Sequence, residues 1–290
     1  MSLNHSVLIC DQVNPTLNEI LEKNGLSITY EPEIKPEEIS EKIENFDVVI
    51  VRSRTKITKE LIERADKCKI IARVGVGLDN IDQVAAKEKN IRVINAVEGA
   101  MNAVAELVIG LMLSLAREIP RADREVRNGN WIKKELMGSE LRGKYLGIIG
   151  LGNIGKRLGR LARALNMNII GFDVVPIDEE FSKEVGLMKA DLGTLLASAD
   201  YVSLHVPLLD STKHMINAEK IATMKKTARI INTSRGGVID EDALYDALKD
   251  GKLGGAALDV FEVEPATSNN LAALPTVSYT HLTLPTILRV

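Results

Sequence analysis

Short apolar runs alternate with longer charged stretches through the N-terminal part of the chain. The runs are rich in Val and Ile, and the stretches between them, such as Pro36–Asn45 and Lys59–Lys67, are amphipathic. This alternation predicts strands that are connected by helices and joined in a parallel sheet covered on both faces. The predicted strands are Val7–Cys10, Ser27–Tyr30, Asp47–Val51, Lys69–Ala72 and Arg92–Asn95.

A long apolar helix and a second alternating series follow. Met101–Arg117 is apolar around most of its circumference, so we expect it to be buried in a core or between domains or subunits. After a polar segment, Arg121–Glu140, the second series predicts another α/β domain. Its predicted strands are Tyr145–Gly150, Asn168–Phe172, Tyr201–His205, Arg229–Asn232 and Gly255–Asp259, and its helices Lys156–Leu165, Leu192–Ser198, Asn217–Met224 and Glu241–Asp250.

The composition narrows the class of protein. With 290 residues, 45% hydrophobic and 27% charged, the chain has the profile of a soluble globular protein of roughly two domains. Its net charge of -3 and its 3% aromatic content argue against a nucleic-acid or membrane partner. Two cysteines, Cys10 and Cys68, give neither a disulfide framework nor a zinc set. With no signal-peptide pattern, this favours the cytoplasm.

A glycine pattern opens the second series. Gly150, Gly152 and Gly155 form G-x-G-x-x-G between an apolar strand and a basic helix, which is the context that gives this otherwise weak motif its meaning. The glycines allow a tight turn, close approach of a pyrophosphate and close helix–strand packing. Asp173 follows the next strand, where a carboxylate accepts hydrogen bonds from a ribose diol and repels a 2′-phosphate. NAD is therefore favoured over NADP, and comparable rates with NADPH and NADH would contradict this role of Asp173.

Further motifs carry a family resemblance. They are Val51–Thr55 (VRSRT), Gly75–Asp82 (GVGLDNID), Asn102–Glu106, Arg117–Pro120, Gly129–Leu141, Leu146–Gly155, His205–Leu208 (HVPL), Asn232–Asp240 (NTSRGGVID) and Gly254–Pro265 (GGAALDVFEVEP). From about residue 5 to residue 276 the chain resembles the D-isomer-specific 2-hydroxyacid dehydrogenases. The resemblance implies two doubly wound α/β domains: a flavodoxin-like substrate domain over residues 1–98 and a Rossmann NAD domain over residues 99–276.

The resemblance also implies the roles of site residues. Arg235 matches the arginine that holds the substrate's carboxylate and carbonyl oxygen, and Glu264 matches the acid that hydrogen-bonds the catalytic histidine. His205 ends a strand and is interpreted as a packed cleft residue. The implied cofactor contacts are Val76, Gly150, Gly152, Asn153, Ile154, Gly155, Asp173, Val206, Pro207, Thr233, Ser234, Arg235 and Asp259. The implied substrate contacts are Arg52, Ser53, Gly75, Val76 and Arg235.

The implied substrate is a small 2-hydroxy acid, and the segment around Trp131 favours the branch that acts on a phosphorylated one. The expected reaction is NAD-dependent oxidation of D-3-phosphoglycerate to 3-phosphohydroxypyruvate, in serine biosynthesis. Arg52, Arg54 and Lys56 either receive the phosphate or are solvated residues before a helix. The alternatives are a glyoxylate or hydroxypyruvate reductase and a non-catalytic, NAD-sensing corepressor-like protein. A homodimer through Met101–Arg117 is a further expectation from the family, and no metal is expected.

Residues 277–290 depart from the family pattern. The family has its catalytic histidine in a Thr-Pro-His-x-Gly context, whereas here His281 directly follows Thr280 and no glycine comes after it. The letters VSYTHLTLPT match the translation of a common transposase sequencing adapter. We therefore expect a non-native tail, with native coding that ends near Thr276, and we leave His281 out of the catalytic set. The alternative is an authentic divergent terminus, which an intact reading frame at the resequenced locus would establish.

Overall fold

The described residues divide into two compact units. The computed structural model describes residues 5–266 and 269–280, and the division falls between Ala100 and Met101. His281 and the rest of the predicted tail after Thr280 lie outside the described residues.

The first unit is built on a five-stranded parallel sheet in the order β2-β1-β3-β4-β5. The strand order reverses between β1 and β3, so the carboxyl ends of these parallel strands form a switch point, where ligands bind in such sheets. The strands are β1 Ser6–Ile9, β2 Ser27–Tyr30, β3 Val48–Val51, β4 Ile70–Arg73 and β5 Arg92–Asn95, and the helices are α1 Pro15–Lys23, α2 Pro36–Lys42, α3 Lys59–Arg64 and α4 Gln83–Glu88.

Both faces of this sheet are covered, as the apolar runs predict. Leu8 belongs to one hydrophobic cluster and its neighbours Val7 and Ile9 to another, because side chains of a strand alternate between faces. All three are fully buried. A strand that is buried on both sides needs a continuous apolar run, which is why the sequence pattern predicts β1 and β3.

The second unit contains a seven-stranded parallel sheet in the order β12-β11-β10-β9-β6-β7-β8. Its switch point lies between β6 and β9, which is the arrangement of a Rossmann fold. The strands are β6 Tyr145–Ile149, β7 Asn168–Phe172, β8 Met188–Lys189, β9 Tyr201–Leu204, β10 Arg229–Asn232, β11 Gly255–Leu258 and β12 Val277–Tyr279. The helices are α5 Val97–Arg117, which starts before the division, α6 Ile119–Arg127, α7 Asn153–Ala164, α8 Glu179–Val185, α9 Leu192–Ser198, α10 Ala218–Thr223 and α11 Glu241–Lys249.

Two doubly wound parallel-sheet units confirm the predicted fold class, but some elements differ from prediction. Helix α6 lies in the segment that we expected only to be polar. Its ion pairs, Arg121 with Glu118 and Arg127 with Asp123, are three and four residues apart, so they support a helix that has no buried residue of its own. Helix α7 starts at Asn153 rather than Lys156, because Gly152 is already its N-cap. Strands β8 and β12 are too short to stand out from the sequence.

Helix α5 buries one face only. Ala105, Val108 and Met112 lie in a core cluster of the second unit, whereas Leu113 is 37% exposed. By length and composition Gly99–Arg117 could cross a membrane, with a mean hydropathy of 1.7 and 28% of that window buried. The core contacts are those of an amphipathic helix that packs on a sheet. We expected α5 to be buried around most of its circumference, but within this chain one side of the helix remains exposed.

Candidate functional site

The turn after β6 brings strand, helix and the end of β9 into close contact. Gly150 has a φ of +91°, and a Cβ there would lie 2.5 Å from the carbonyl oxygen of His205. A Cβ at Gly155 would lie 2.1 Å from the carbonyl oxygen of Gly150. Neither obstacle is a flexible side chain. Backbone packing, with a left-handed φ at the first position, therefore requires glycine at both positions.

Gly152 is different, because its surroundings in the chain are open. It is the N-cap of α7, and a Cβ built there would meet no heavy atom of the described residues within 4 Å. Asn153, Ile154 and Gly155 form the first turn of α7, whose backbone N–H groups have no partner within the helix and favour an anion. The space in front of Gly152 suits a pyrophosphate, since no packing contact of the described residues requires glycine at this position.

Asp173 closes the far side of the same turn. Its Oδ2 accepts a hydrogen bond from the backbone N–H of Leu151 at 2.7 Å, and its Oδ1 accepts one from Val175 at 3.0 Å. Because it follows β7, the neighbour of β6, the carboxylate lies at the carboxyl edge of the sheet beside the glycine turn. It borders an open cavity of about 610 Å³ lined by Phe172, Asp173, Val174, Val175, Pro176, Ile177, Glu179, Lys189, Ala190 and Asp191. This is the geometry expected for the ribose end of NAD.

A buried amide organises the loop that carries Arg235. Asn232, which ends β10 and is 2% exposed, donates from Nδ2 to the carbonyl oxygen of Arg235 at 2.9 Å. Its Oδ1 accepts hydrogen bonds from the backbone N–H and Oγ of Ser234 at 3.0 and 2.8 Å. Thr233 lies between them, and its Oγ1 is buried with no hydrogen-bond partner among the described residues. An orphaned hydroxyl in this loop fits a polar group of a bound dinucleotide.

The loop of Arg235 is packed tightly on the segment that carries Glu264. A Cβ at Gly236 would lie 1.8 Å from the carbonyl oxygen of Phe261, so only glycine allows the two backbones to meet. Glu264 is exposed, and its Oε1 accepts a hydrogen bond from the backbone N–H of Phe261 at 3.1 Å. Arg235 donates from Nη1 to the carbonyl oxygen of Ser234 at 2.6 Å. The predicted catalytic pair is thereby carried by two loops in direct contact.

Glu262, two residues before Glu264, is the acid of this segment that contacts a histidine. Within the described residues, His214 Nε2 lies 2.9 Å from Oε1 of Glu262. The backbone N–H of Glu262 donates to Glu241 Oε1 at 2.7 Å, which ties the segment to the start of α11. No histidine of the described residues forms a hydrogen bond or an ion pair with Glu264.

The end of β9 and the residue after β11 complete this edge. Half-buried His205 shares a hydrogen bond of 2.9 Å with the buried hydroxyl of Ser203, and burial lowers the pKa of His205 to about 4. A neutral, hydrogen-bonded ring agrees with a packing role. Val206 is partly buried against the core, and Pro207 is exposed. Asp259 Oδ1 accepts a hydrogen bond from the Thr280 hydroxyl, so the predicted tail touches a predicted cofactor position.

The predicted substrate residues of the first unit lie at its switch point. Arg52 and Ser53 directly follow β3, and Gly75 and Val76 follow β4. The carbonyl oxygen of Arg52 accepts hydrogen bonds from Asn80 Nδ2 at 2.8 Å and from Arg73 Nε at 3.4 Å. These contacts hold the two loops together.

Arg54 does not belong with Arg52 as a phosphate ligand. Its Nε forms an ion pair of 3.1 Å with Asp11, and its Nη1 donates to the carbonyl oxygen of Ile34 at 3.1 Å. Its Nη2 donates to the carbonyl oxygens of Cys10 and Pro32. Four contacts thus tie the guanidinium of Arg54 to other parts of the unit, and the arginine that contacts the backbone of Arg52 is Arg73.

Comparison with known proteins places this geometry in a family. The sequence model of "D-isomer specific 2-hydroxyacid dehydrogenase, NAD binding domain" matches residues 109–282. The chain belongs to the D-isomer specific 2-hydroxyacid dehydrogenase family and carries its NAD-binding domain, which confirms the predicted resemblance and cofactor. The match runs six residues past the predicted native limit at residue 276 and includes His281.

Individual relatives differ in the substrate that their names give. The chain is 47% identical over 272 residues to a D-3-phosphoglycerate dehydrogenase of Methanocaldococcus jannaschii, covering 93% of this chain and 52% of that protein. It is 48% identical over 248 residues to a hydroxypyruvate reductase of Thermotoga maritima, covering 86% and 79%. A crystal structure of a glyoxylate reductase from Paecilomyes thermophila superposes with a TM-score of 0.88 at 30% identity, covering 96% and 88%. The chain thus spans about half the length of the phosphoglycerate dehydrogenase that it matches.

Proposed function

We propose that the whole protein is an NAD-dependent dehydrogenase that oxidises D-3-phosphoglycerate to 3-phosphohydroxypyruvate, the first reaction of serine biosynthesis. Several relatives between 39% and 47% identical are named as phosphoglycerate dehydrogenases, which supports the substrate. The observation that carries the proposal is a pair of arginines, Arg52 and Arg73, held together at adjacent strand ends of the first unit.

The phosphate is assigned to these arginines on chemical grounds. Arginine stays protonated and presents a planar fork of donors that matches phosphate oxygens. Arg52 has no ion-pair partner among residues 5–266 and 269–280. Arg54, in contrast, forms an ion pair with Asp11 and donates hydrogen bonds to three carbonyl oxygens. Ser53 adds an exposed hydroxyl next to Arg52. A substrate with a second anionic end gains most from this arrangement.

The other residues have separate tasks in the proposed reaction. The bound NAD supplies an acceptor for the hydride of the substrate's C2, and the first turn of α7, Asp173 and Thr233 hold it. Arg235 binds the carboxylate and orients the C2 oxygen. Glu264 accepts a hydrogen bond from the catalytic histidine, which fixes the tautomer that removes the hydroxyl proton.

Binding of the two keto acids tests the phosphate assignment. Protein saturated with NADH is titrated calorimetrically with 3-phosphohydroxypyruvate and with hydroxypyruvate. We expect the phosphorylated acid to bind at least about 100-fold tighter, since hydrogen bonds to charged groups contribute about 1.5–3 kcal/mol each. Arg52→Gln should remove most of this preference and leave the affinity for hydroxypyruvate near that of the wild type. Equal affinities in the wild type would contradict the proposed substrate.

A hydroxypyruvate reductase is the second candidate, favoured by the relative from Thermotoga maritima, of which the chain covers 79%. In that case the unphosphorylated acid binds as well as the phosphorylated one, and Arg52→Gln changes both affinities alike. The same titrations therefore separate the two candidates.

Two further features of the proposal concern assembly and location. The partly exposed apolar side of α5, with Leu113, supports a homodimer through this helix. Cys10 and Cys68 are both buried free thiols, which supports a reducing cytoplasm.

A further inference from the structure

The backbone of Arg52 is held on both sides by side-chain hydrogen bonds, and two of the residues that form them, Asp11 and Asn80, have no assigned contact with the substrate. Its N–H donates to Oδ2 of Asp11, and its carbonyl oxygen accepts from Asn80 and Arg73. The residue lies just beyond the last pair of β3, where ladder hydrogen bonds no longer fix the chain. Its orientation therefore depends on these side chains.

Asp11 is the centre of this network. It is 3% exposed, and besides the Arg52 N–H it accepts hydrogen bonds from the N–H and Oγ1 of Thr55 at 3.3 and 2.8 Å. The ion pair with Arg54 Nε adds the fourth contact, so all of its partners belong to the segment Arg52–Thr55. A buried carboxylate is costly unless it is fully hydrogen-bonded, and here one carboxylate fixes a whole turn.

Arg54 ties the same turn to other parts of the unit. Its guanidinium spans from Asp11 to the carbonyl oxygens of Cys10, Pro32 and Ile34, which follow β1 and β2. Thr55 is 4% exposed, and its hydroxyl lies between Asp11 and Cys10. The turn after β3 is therefore anchored to the segments that follow β1 and β2 before any ligand arrives.

We infer that Asp11, Arg54 and Thr55 form a positioning network that holds the backbone of Arg52 and Ser53 ready for an anionic substrate. The inference rests on the proposed function in one respect, since the ligand is taken to be an acid bound at this strand end. It goes further in assigning three residues that act through Arg52 and not on the substrate. Preorganisation of this kind strengthens binding by reducing the entropy that is lost when the ligand orders the loop.

Three variants test the network. Asp11→Asn places an N–H₂ group against donors, and Thr55→Val removes one hydroxyl at nearly constant volume, whereas Thr55→Ser keeps that hydroxyl. Ser6→Ala is the matched control, because it removes a hydrogen bond of 3.1 Å to Asp47 at the other end of β1. If Asp11→Asn fails to fold, Thr55→Val still tests the network.

Two measurements compare each variant with the wild type. Amide hydrogen exchange reports the order of residues 52–55, and titration reports the dissociation constants of 3-phosphohydroxypyruvate, hydroxypyruvate and NADH. We expect Thr55→Val and Asp11→Asn to speed exchange in residues 52–55 and to weaken the binding of 3-phosphohydroxypyruvate by about tenfold. NADH affinity should not change, and Thr55→Ser and Ser6→Ala should behave like the wild type. A role in stability alone would lower the melting temperature without moving these affinities.

The outcomes separate this inference from the substrate assignment. Unchanged exchange, unchanged acid affinity, or an equal loss of NADH affinity in Thr55→Val would overturn the positioning role. If the wild type prefers hydroxypyruvate and Thr55→Val weakens that acid, the positioning role stands and the phosphorylated substrate falls. Binding of neither acid by the wild type would defeat both.

Discussion

Arg235→Lys should weaken the binding of 3-phosphohydroxypyruvate to the NADH-loaded protein by about 100-fold or more. A lysine keeps the positive charge but loses the planar fork, so it cannot donate two parallel hydrogen bonds to a carboxylate. Hydrogen bonds to charged groups contribute about 1.5–3 kcal/mol, and about 1.4 kcal/mol corresponds to tenfold in affinity. The loop of Arg235 is fixed by Asn232 and by the contact at Gly236, so it has little freedom to adapt to the shorter side chain.

Arg229→Lys is the matched control for this substitution. Arg229 starts the strand that Asn232 ends, and its guanidinium lies over the ring of Tyr201 at 5.5 Å, at the opposite edge of the sheet. We expect its substrate affinity to stay within about twofold of the wild type. Calorimetric titration gives both constants, and an affinity for Arg235→Lys within threefold of the wild type would refute the carboxylate role.

Gly152→Ala and Gly155→Ala should separate cofactor binding from stability. A methyl group at Gly155 would lie 2.1 Å from a backbone carbonyl oxygen, so we expect overpacking to cost about 3 kcal/mol or more. At roughly 2–4 °C per kcal/mol, the melting temperature should fall by about 10 °C. A methyl group at Gly152 meets no atom of residues 5–266 and 269–280 within 4 Å, so the melting temperature of Gly152→Ala should match that of the wild type.

The affinity for NADH, unlike the melting temperature, should fall in Gly152→Ala. The methyl group of Gly152→Ala would occupy the space in front of the first turn of α7, and we expect NADH to bind at least about 100-fold more weakly. Differential scanning calorimetry and NADH fluorescence give the two quantities. Wild-type affinity in a fully folded Gly152→Ala protein would show that the pyrophosphate does not lie there.

The sequence predicted the strands of both sheets except the short edge strands β8 and β12, because most of the predicted strands are continuous apolar runs. Gly150, Gly152, Gly155 and Asp173 could be selected for the same reason, since their spacing relative to two strands is local. These four residues do meet around one turn. Helix α6 was missed because charge pairs, not an apolar face, support it.

The pattern of residues along the sequence could not predict long-range hydrogen bonds. Asp11 is 44 positions from Thr55, and nothing in the spacing of the two residues indicates that they meet. The same applies to Arg54, which looks like a partner of Arg52 in VRSRT but donates to Asp11 and to three carbonyl oxygens. Two arginines of one motif, Arg52 and Arg54, thus have different contacts, which only the fold reveals.

The most direct test of the proposed function is turnover by the product of the gene at its natural locus. NAD reduction is followed at saturating NAD with D-3-phosphoglycerate and with D-glycerate as substrates. We expect kcat/KM for D-3-phosphoglycerate to exceed that for D-glycerate by about 100-fold or more, the ratio that two hydrogen bonds to charged groups provide. An equal or higher kcat/KM for D-glycerate, or NAD binding without reduction by either acid, would contradict it.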